Sequence, residues 1–315
     1  MPDVDERLPQ VRQAGPACIN GFYVQSTNMD ALPPRFQRFR AILWLCRQLS
    51  GASKTPIRQQ HAAAIAAAQG HPACLGGPMS RLFEELDYRP TPIGALVLRR
   101  RREARLGIDI LEIKLGEEHL MSDLFTASEI ALADLGLKAC AGEGLDVVVG
   151  GLGLGFTAKA VLDASRTGSL IVVEYLEAVI DWHRTGLLPL GPELTGDPRC
   201  RLVEGDFFAM AKGDGFDPDA PGRQFDAILL DIDHSPDALL DARSESFYQP
   251  EGLEKLAAHL KPGGIFGLWS DALTDDSFTE RLASVFSEAW AEPVTFHNPL
   301  QDKPFTQTVY LARKG

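Results

Sequence analysis

From about residue 140 onward, short apolar runs alternate with stretches whose apolar positions recur at helical spacing. The strand-like runs are Leu145–Val149, Leu170–Glu174, Cys200–Glu204, Phe225–Asp231, Ile265–Trp269, Pro293–Phe296 and Thr306–Ala312. Helical patterns lie between most of them, at Phe156–Ala164, Leu176–Thr185, Glu251–Leu260 and Phe278–Ala289. Such alternation predicts a mainly parallel sheet covered by helices on both faces. The break Lys261-Pro262-Gly263-Gly264 stops one helix and turns the chain into the next strand. Seven strands with a closing hairpin match the class I methyltransferase variant of the Rossmann-like α/β architecture.

Upstream, Ala95–Leu98 and Ile108–Ile113 show the alternation of half-buried strands, within a strand-rich stretch from Ile93 to about Ser122. The basic run Arg99–Arg102 reads as a solvated strand end or turn. Thr126-Ala127-Ser128-Glu129 has capping-box spacing and predicts a helix that continues to Gly136. Residues 1–78 show little periodicity beyond two short helix candidates, Phe36–Leu49 and His61–Ala68. They read as a poorly ordered or loosely docked extension. The expected organisation is therefore that extension, a β-hairpin region with a linking helix over 79–139, and a Rossmann-like donor-binding domain over 140–315. A Gly/Pro-rich passage, His71–Pro78, precedes Met79, so a start at Met79 and a genuine extension are both open readings.

Composition narrows the classes. With 45% hydrophobic and 23% charged residues, the 315-residue chain has enough apolar mass for a substantial core. Residues 1–78 carry eight Lys/Arg against four Asp/Glu, and residues 79–315 carry 23 against 39, which together make the net charge of −12. So acidic a balance argues against a nucleic-acid partner and does not oppose a small cationic substrate, though many cytosolic proteins are equally acidic. No apolar run is long enough to cross a bilayer and no secretory signal is visible, so no membrane partner and a cytoplasmic location are expected. The five cysteines are scattered and form no CxxC pair, which fits a reducing compartment. No His/Cys/acid spacing suggests a metal.

The strongest candidate for chemistry is Leu145-Asp146-Val147-Val148-Val149-Gly150-Gly151-Leu152-Gly153-Leu154-Gly155, a buried strand running into a glycine-rich turn and a helix. Gly150, Gly151, Gly153 and Gly155 would let the backbone approach a ligand at the helix N-terminus. Glu174 ends the next strand about 20 residues on, where an acid can accept hydrogen bonds from ribose hydroxyls. Gly205-Asp206-Phe207 follows the third strand, so Asp206 is placed to accept from an adenine amino group and Phe207 to pack on its ring. The loop is GGxGxG rather than GxGxxG. Acids at three successive strand ends suit an adenosyl sulfonium better than a nicotinamide. No permanently bound cofactor is expected; S-adenosylmethionine or its decarboxylated form would be the donor substrate.

The stretch from about Ile110 to Leu311 resembles the spermidine synthase (polyamine aminopropyltransferase) family. The matching pieces are Gly150–Gly155, Val172-Val173-Glu174 with Val179-Ile180, Asp197-Pro198-Arg199 leading to Glu204-Gly205-Asp206, and Phe225–Asp231. Ser246-Phe247-Tyr248, ahead of Lys261–Gly264, extends the match. The resemblance implies that Asp231 is the catalytic carboxylate, that the acceptor is a small-molecule amine, and that the chain forms a homodimer. It also brings Asp233 and His234 into the candidate catalytic set. There are departures. Leu152, Gly153 and Leu154 offer no acid where the family holds the aminopropyl amine. The acceptor-side Tyr-His-Glu becomes Ala127-Ser128-Glu129, and a glutamine would fall near Leu120. His234 stands in Asp231-Ile232-Asp233-His234-Ser235-Pro236 where a second acid is usual. His234 reads either as a base titrating near neutrality or as a loop residue bonded to Asp231 or Asp233. Tyr248 and Trp269 are further candidates for the acceptor pocket, with core packing the other role for Trp269. Three functions remain open: aminopropyl transfer from decarboxylated S-adenosylmethionine, methyl transfer from S-adenosylmethionine to a small molecule, and a non-catalytic ligand-binding module.

Overall fold

The computed structural model describes residues 82–315. The expectations for the 1–78 extension, its two short helices and a start at Met79 lie outside the described residues.

The described chain opens with a four-stranded antiparallel meander, β1 (Phe83–Thr91), β2 (Gly94–Glu103), β3 (Ile108–Leu115) and β4 (Glu118–Ser122). Of these, β1 was not foreseen, and β4 was not separated out within the strand-rich stretch expected to run to about Ser122. β1 is an acid-rich edge strand containing Pro90, which an edge tolerates because no ladder bond is needed from its nitrogen. β4 is five residues long with two apolar positions, too few to signal a strand. Arg99–Arg102 corrects another expectation, because the run lies inside β2, paired on both sides by β1 and β3. Arg99 and Arg101 both reach the buried Glu112 of β3, so the basic run neutralises an interior acid.

The helix α1 (Ala127–Ala139) leads into the main sheet. Its first turn does not form the expected capping box: the Thr126 side chain caps nothing, and Ser128 and Glu129 are buried instead. Next come β5 (Leu145–Gly150), α2 (Phe156–Asp163), β6 (Thr167–Glu174), α3 (Glu177–Arg184), α4 (Gly191–Gly196), β7 (Cys200–Glu204), α5 (Phe207–Lys212) and β8 (Phe225–Leu230). The chain ends with α6 (Pro250–Ala258), β9 (Leu260–Ser270), α7 (Asp276–Ala283), β10 (Glu288–Asn298) and β11 (Lys303–Arg313). The seven strands pair in the order β10-β11-β9-β8-β5-β6-β7. β5 to β9 are parallel, and β11 runs antiparallel between its neighbours β9 and β10. This is the expected class I Rossmann-like arrangement.

Two expected boundaries move. The helix expected over Phe278–Ala289 ends at Ala283, because Glu288 and Ala289 already pair with Arg313 and Ala312. Lys261–Gly264 lies within β9, where pairing to β8 jumps from Phe225↔Leu260 to Ala227↔Ile265. There Lys261 bridges Asp146 and Asp226, tying together the starts of β5 and β8.

Period-two alternation splits the core into two layers. Val147, Val149 and Leu229 face α1, α2 and α3, joined by Leu132, Val161 and Trp182. Val148, Ile228 and Leu230 face the other side with Phe207, Leu253 and Phe278 of α5, α6 and α7. The meander docks on the first layer, where Trp182 Nε1 donates to Asp87 Oδ2 at 2.7 Å. No helix among the described residues is long and apolar enough to cross a membrane.

Candidate functional site

In a parallel sheet the strands end together at one rim, and ligands bind beyond it where the strand order reverses. Here the reversal falls between β5 and β8. Backbone bonds carry the pairing one residue past the strands: Gly151 N–H donates to Val173 at 2.9 Å, Gly205 N–H to Glu174 at 2.9 Å, and Asp231 N–H to Gly150 at 2.8 Å. Gly151, Glu174, Asp206 and Asp231 consequently share one edge. All four line a cavity of about 390 Å³, within the range of small-molecule sites.

The glycine loop is held by Glu174. Its Oε2 accepts from Leu152 N–H at 2.9 Å and its Oε1 from Leu176 N–H at 2.8 Å. Burial pushes this carboxyl up, and the backbone N–H groups around it pull the other way. Gly151 has φ +93°, and a Cβ there would run into the Asp231 carbonyl. Only glycine lets β5 leave the sheet this close to β8. The four glycines divide in role. Gly151 and Gly153 border the cavity, whereas the Cα of Gly150 packs against the Phe207 ring and Gly155 sits against His183 and Leu194. Gly150 and Gly155 are therefore closely packed outside the cavity lining.

Asp206 caps α5, its Oδ1 accepting from Phe208 and Ala209 N–H at 3.0 and 3.1 Å. Among the described residues, nothing donates to its Oδ2. Phe207, expected to present its ring to the ligand, is 2% exposed and stacked on Phe216 at 4.8 Å between centroids. It borders the cavity as part of the core, and the half-buried Phe208 beside it is the more accessible aromatic ring.

The far end of the cavity holds a feature that spacing had not singled out. Glu129 of α1 and Asp231 after β8 come together beside the glycine loop. Asp231 Oδ2 accepts from the Thr157 hydroxyl at 2.6 Å. Glu129 Oε2 is buried, with no hydrogen-bond partner among the described residues. Burial lifts Glu129 to about 8, with the Asp231 charge adding to the rise. Burial lifts Asp231 to about 6, opposed by the Thr157 bond. Two carboxyls so close in a dry setting titrate together and share about one proton near neutrality. The clue in the sequence was the Glu of Ala127-Ser128-Glu129, which the capping-box pattern disguised as a helix signal.

Asp233 and His234 also line the cavity, with their polar atoms bonded to neighbours other than Asp231. Asp233 accepts from Tyr248 OH at 2.6 Å, Leu240 N–H at 2.7 Å and the Ser244 hydroxyl at 3.3 Å, so it staples the loop after β8. Tyr248 is thereby a core residue. His234 Nε2 lies 3.2 Å from Glu118 Oε1 of β4, and bonds neither Asp231 nor Asp233. Trp269 borders the cavity and donates Nε1–H to Ser128 Oγ at 2.8 Å; Ser128 in turn donates to Gln307 at 2.6 Å. The meander closes the remaining side, with Leu154 N–H directed at Met121 Sδ at 3.1 Å.

No known family model matches the chain. Among solved structures, it is similar to a spermidine synthase in complex with the transition-state analogue AdoDATO. The TM-score is 0.57 at 18% identity, covering 73% of this chain and 74% of that one. It is also similar to the spermidine synthase of Thermotoga maritima, with a TM-score of 0.54 at 16% identity, covering 73% and 72%. The likeness is one of fold: the described residues adopt a spermidine-synthase-like architecture.

Proposed function

We propose that this protein is a transferase that moves an aminopropyl group from decarboxylated S-adenosylmethionine to an amine. The observation that carries the reading is the Glu129–Asp231 carboxyl pair, set beside a glycine loop on the cavity rim. Gly151, Gly153, Glu174 and Asp206 would receive the donor, with Phe208 against the adenine. In-line transfer requires a free lone pair on the acceptor nitrogen. The nitrogen attacks the carbon bonded to the sulfonium, the C–N bond forms as the C–S bond breaks, and the electron pair leaves with sulfur as a neutral thioether. The proton lost by the ammonium passes to Asp231, whose carboxylate Thr157 holds in place. Fixing donor and acceptor in one cavity removes the entropy of bringing them together. Methyl transfer from S-adenosylmethionine is the second reading. Leu152 borders the cavity where an acid would have to hold the aminopropyl ammonium, and a loop without that acid is less selective against the donor's carboxylate.

Asp231→Asn tests the assignment. It should lower turnover by roughly 10²–10⁴-fold while donor affinity stays within about threefold. Wild-type turnover should rise as pH passes about 6 and Asp231 ionises. Turnover unchanged in the variant would remove Asp231 from the reaction.

A further inference from the structure

The acceptor half of the cavity is walled by Ile93, Ile113, Leu120, Met121, Phe156 and Trp269. Ile93, Ile113, Leu120 and Met121 come from the meander, which lies across the glycine loop. This wall offers almost nothing to a second charge. The polar atom of Trp269 is already bonded to Ser128. Asp233 has three donors on its two oxygens. His234 is paired with Glu118. Among the described residues, the Glu129–Asp231 pair is thus the acidic centre beside this wall left open to an ammonium; Asp241, which also lines the cavity, is paired with Arg243. An unpaired ammonium against an apolar wall is strongly disfavoured, whereas each methylene placed there is favoured.

From this lining we infer that the acceptor is a monoamine on an apolar body, an alkyl or arylalkyl amine, and not a di- or polyamine. The inference rests on the transferase reading and deepens it. The reacting ammonium would sit at Glu129 and Asp231, with its hydrocarbon part against the meander wall. The step balances as before: the primary amine becomes a secondary amine, the donor leaves as a thioether, and one proton is released through Asp231.

Hexylamine and 1,6-diaminohexane separate the possibilities, because they differ only in a terminal ammonium. The full chain is supplied with decarboxylated S-adenosylmethionine, and thioether release is followed with each amine, with phenylpropylamine and spermidine as further arms. Hexylamine and phenylpropylamine should exceed the diamine and spermidine in kcat/KM by about tenfold or more. Leu120→Glu, which adds an acid to the wall, should narrow that gap by about tenfold with donor affinity unchanged. Equal or better use of the diamine by the wild-type protein would overturn the inference and leave the transferase reading standing. Donor binding with turnover of none of the four amines would overturn the transferase reading itself, and the inference with it.

Discussion

Glu129 and Asp231 show how two ordinary carboxylates acquire raised pKa values from placement alone. Among the described residues, neither has an arginine or lysine bridged to it; burial is the main cause of both shifts, with a like charge adding to that of Glu129. Their pKa values rise on folding, from 4.5 to about 8 and from 3.8 to about 6. The unfolded chain therefore gives up these protons at lower pH than the native one. The stability tied to the pair is complete below about pH 4 and is lost as pH rises through about 6 and about 8. Glu129→Gln removes the group with the larger shift. It should raise stability at pH 8.5 by about 2 kcal/mol relative to wild type, and flatten the fall in melting temperature between pH 5 and pH 8.5. Parallel melting curves with the wild-type slope would show that Glu129 is not a protonated buried acid. At this scale the sequence was a partial guide. Glu174, Asp206 and Asp231 were readable because each follows a recognisable strand. Glu129 was marked only by the family resemblance, as the one retained residue of the acceptor-side motif; its pairing with Asp231 was not readable, because proximity across 102 positions of chain leaves no local mark. Asp233 and His234 were adjacent to Asp231 in sequence, yet the turn after β8 directs them to Tyr248 and Glu118.

Among the elements, the turn from β5 into α2 decides whether a site exists. Gly151 combines a left-handed φ with a backbone contact to Asp231, so any side chain there both strains the turn and pushes β8 away. Gly151→Ala should lower stability by roughly 1–3 kcal/mol and weaken donor binding by at least about tenfold. Thermal melting and calorimetry on the same sample would check both; a variant with wild-type affinity would mean that the loop does not cradle the donor. The central strands β5, β6, β8 and β9 were legible because they are largely buried on both faces and bounded by turn residues. β1 and β4 were not, since half-exposed edge or five-residue strands gain their conformation from neighbours, not from their own pattern. The error at α7 has the same origin: Glu288 and Ala289 continue a helical pattern, but pairing with β11 claims them. The Arg99–Glu112–Arg101 cluster was hidden for a related reason, because an acid beneath two arginines needs the β2–β3 register to be known.

Taken as a whole, the molecule places a cavity where two sheets meet. The parallel sheet supplies a rim of acids and a glycine turn, and the meander supplies an apolar wall across it. The first half of that arrangement is what an adenosyl ligand requires: two strand-end carboxyls and a close backbone approach. The second determines what else can enter. Calorimetric titration of the full chain with decarboxylated S-adenosylmethionine tests this account most directly, with S-adenosylmethionine and nicotinamide adenine dinucleotide as comparisons. The predicted result is saturable one-to-one binding of an adenosyl sulfonium, abolished or reduced by at least about tenfold in Glu174→Ala and absent for the dinucleotide. No heat from either sulfonium, or binding indifferent to Glu174, would contradict the assignment of this rim as a donor site.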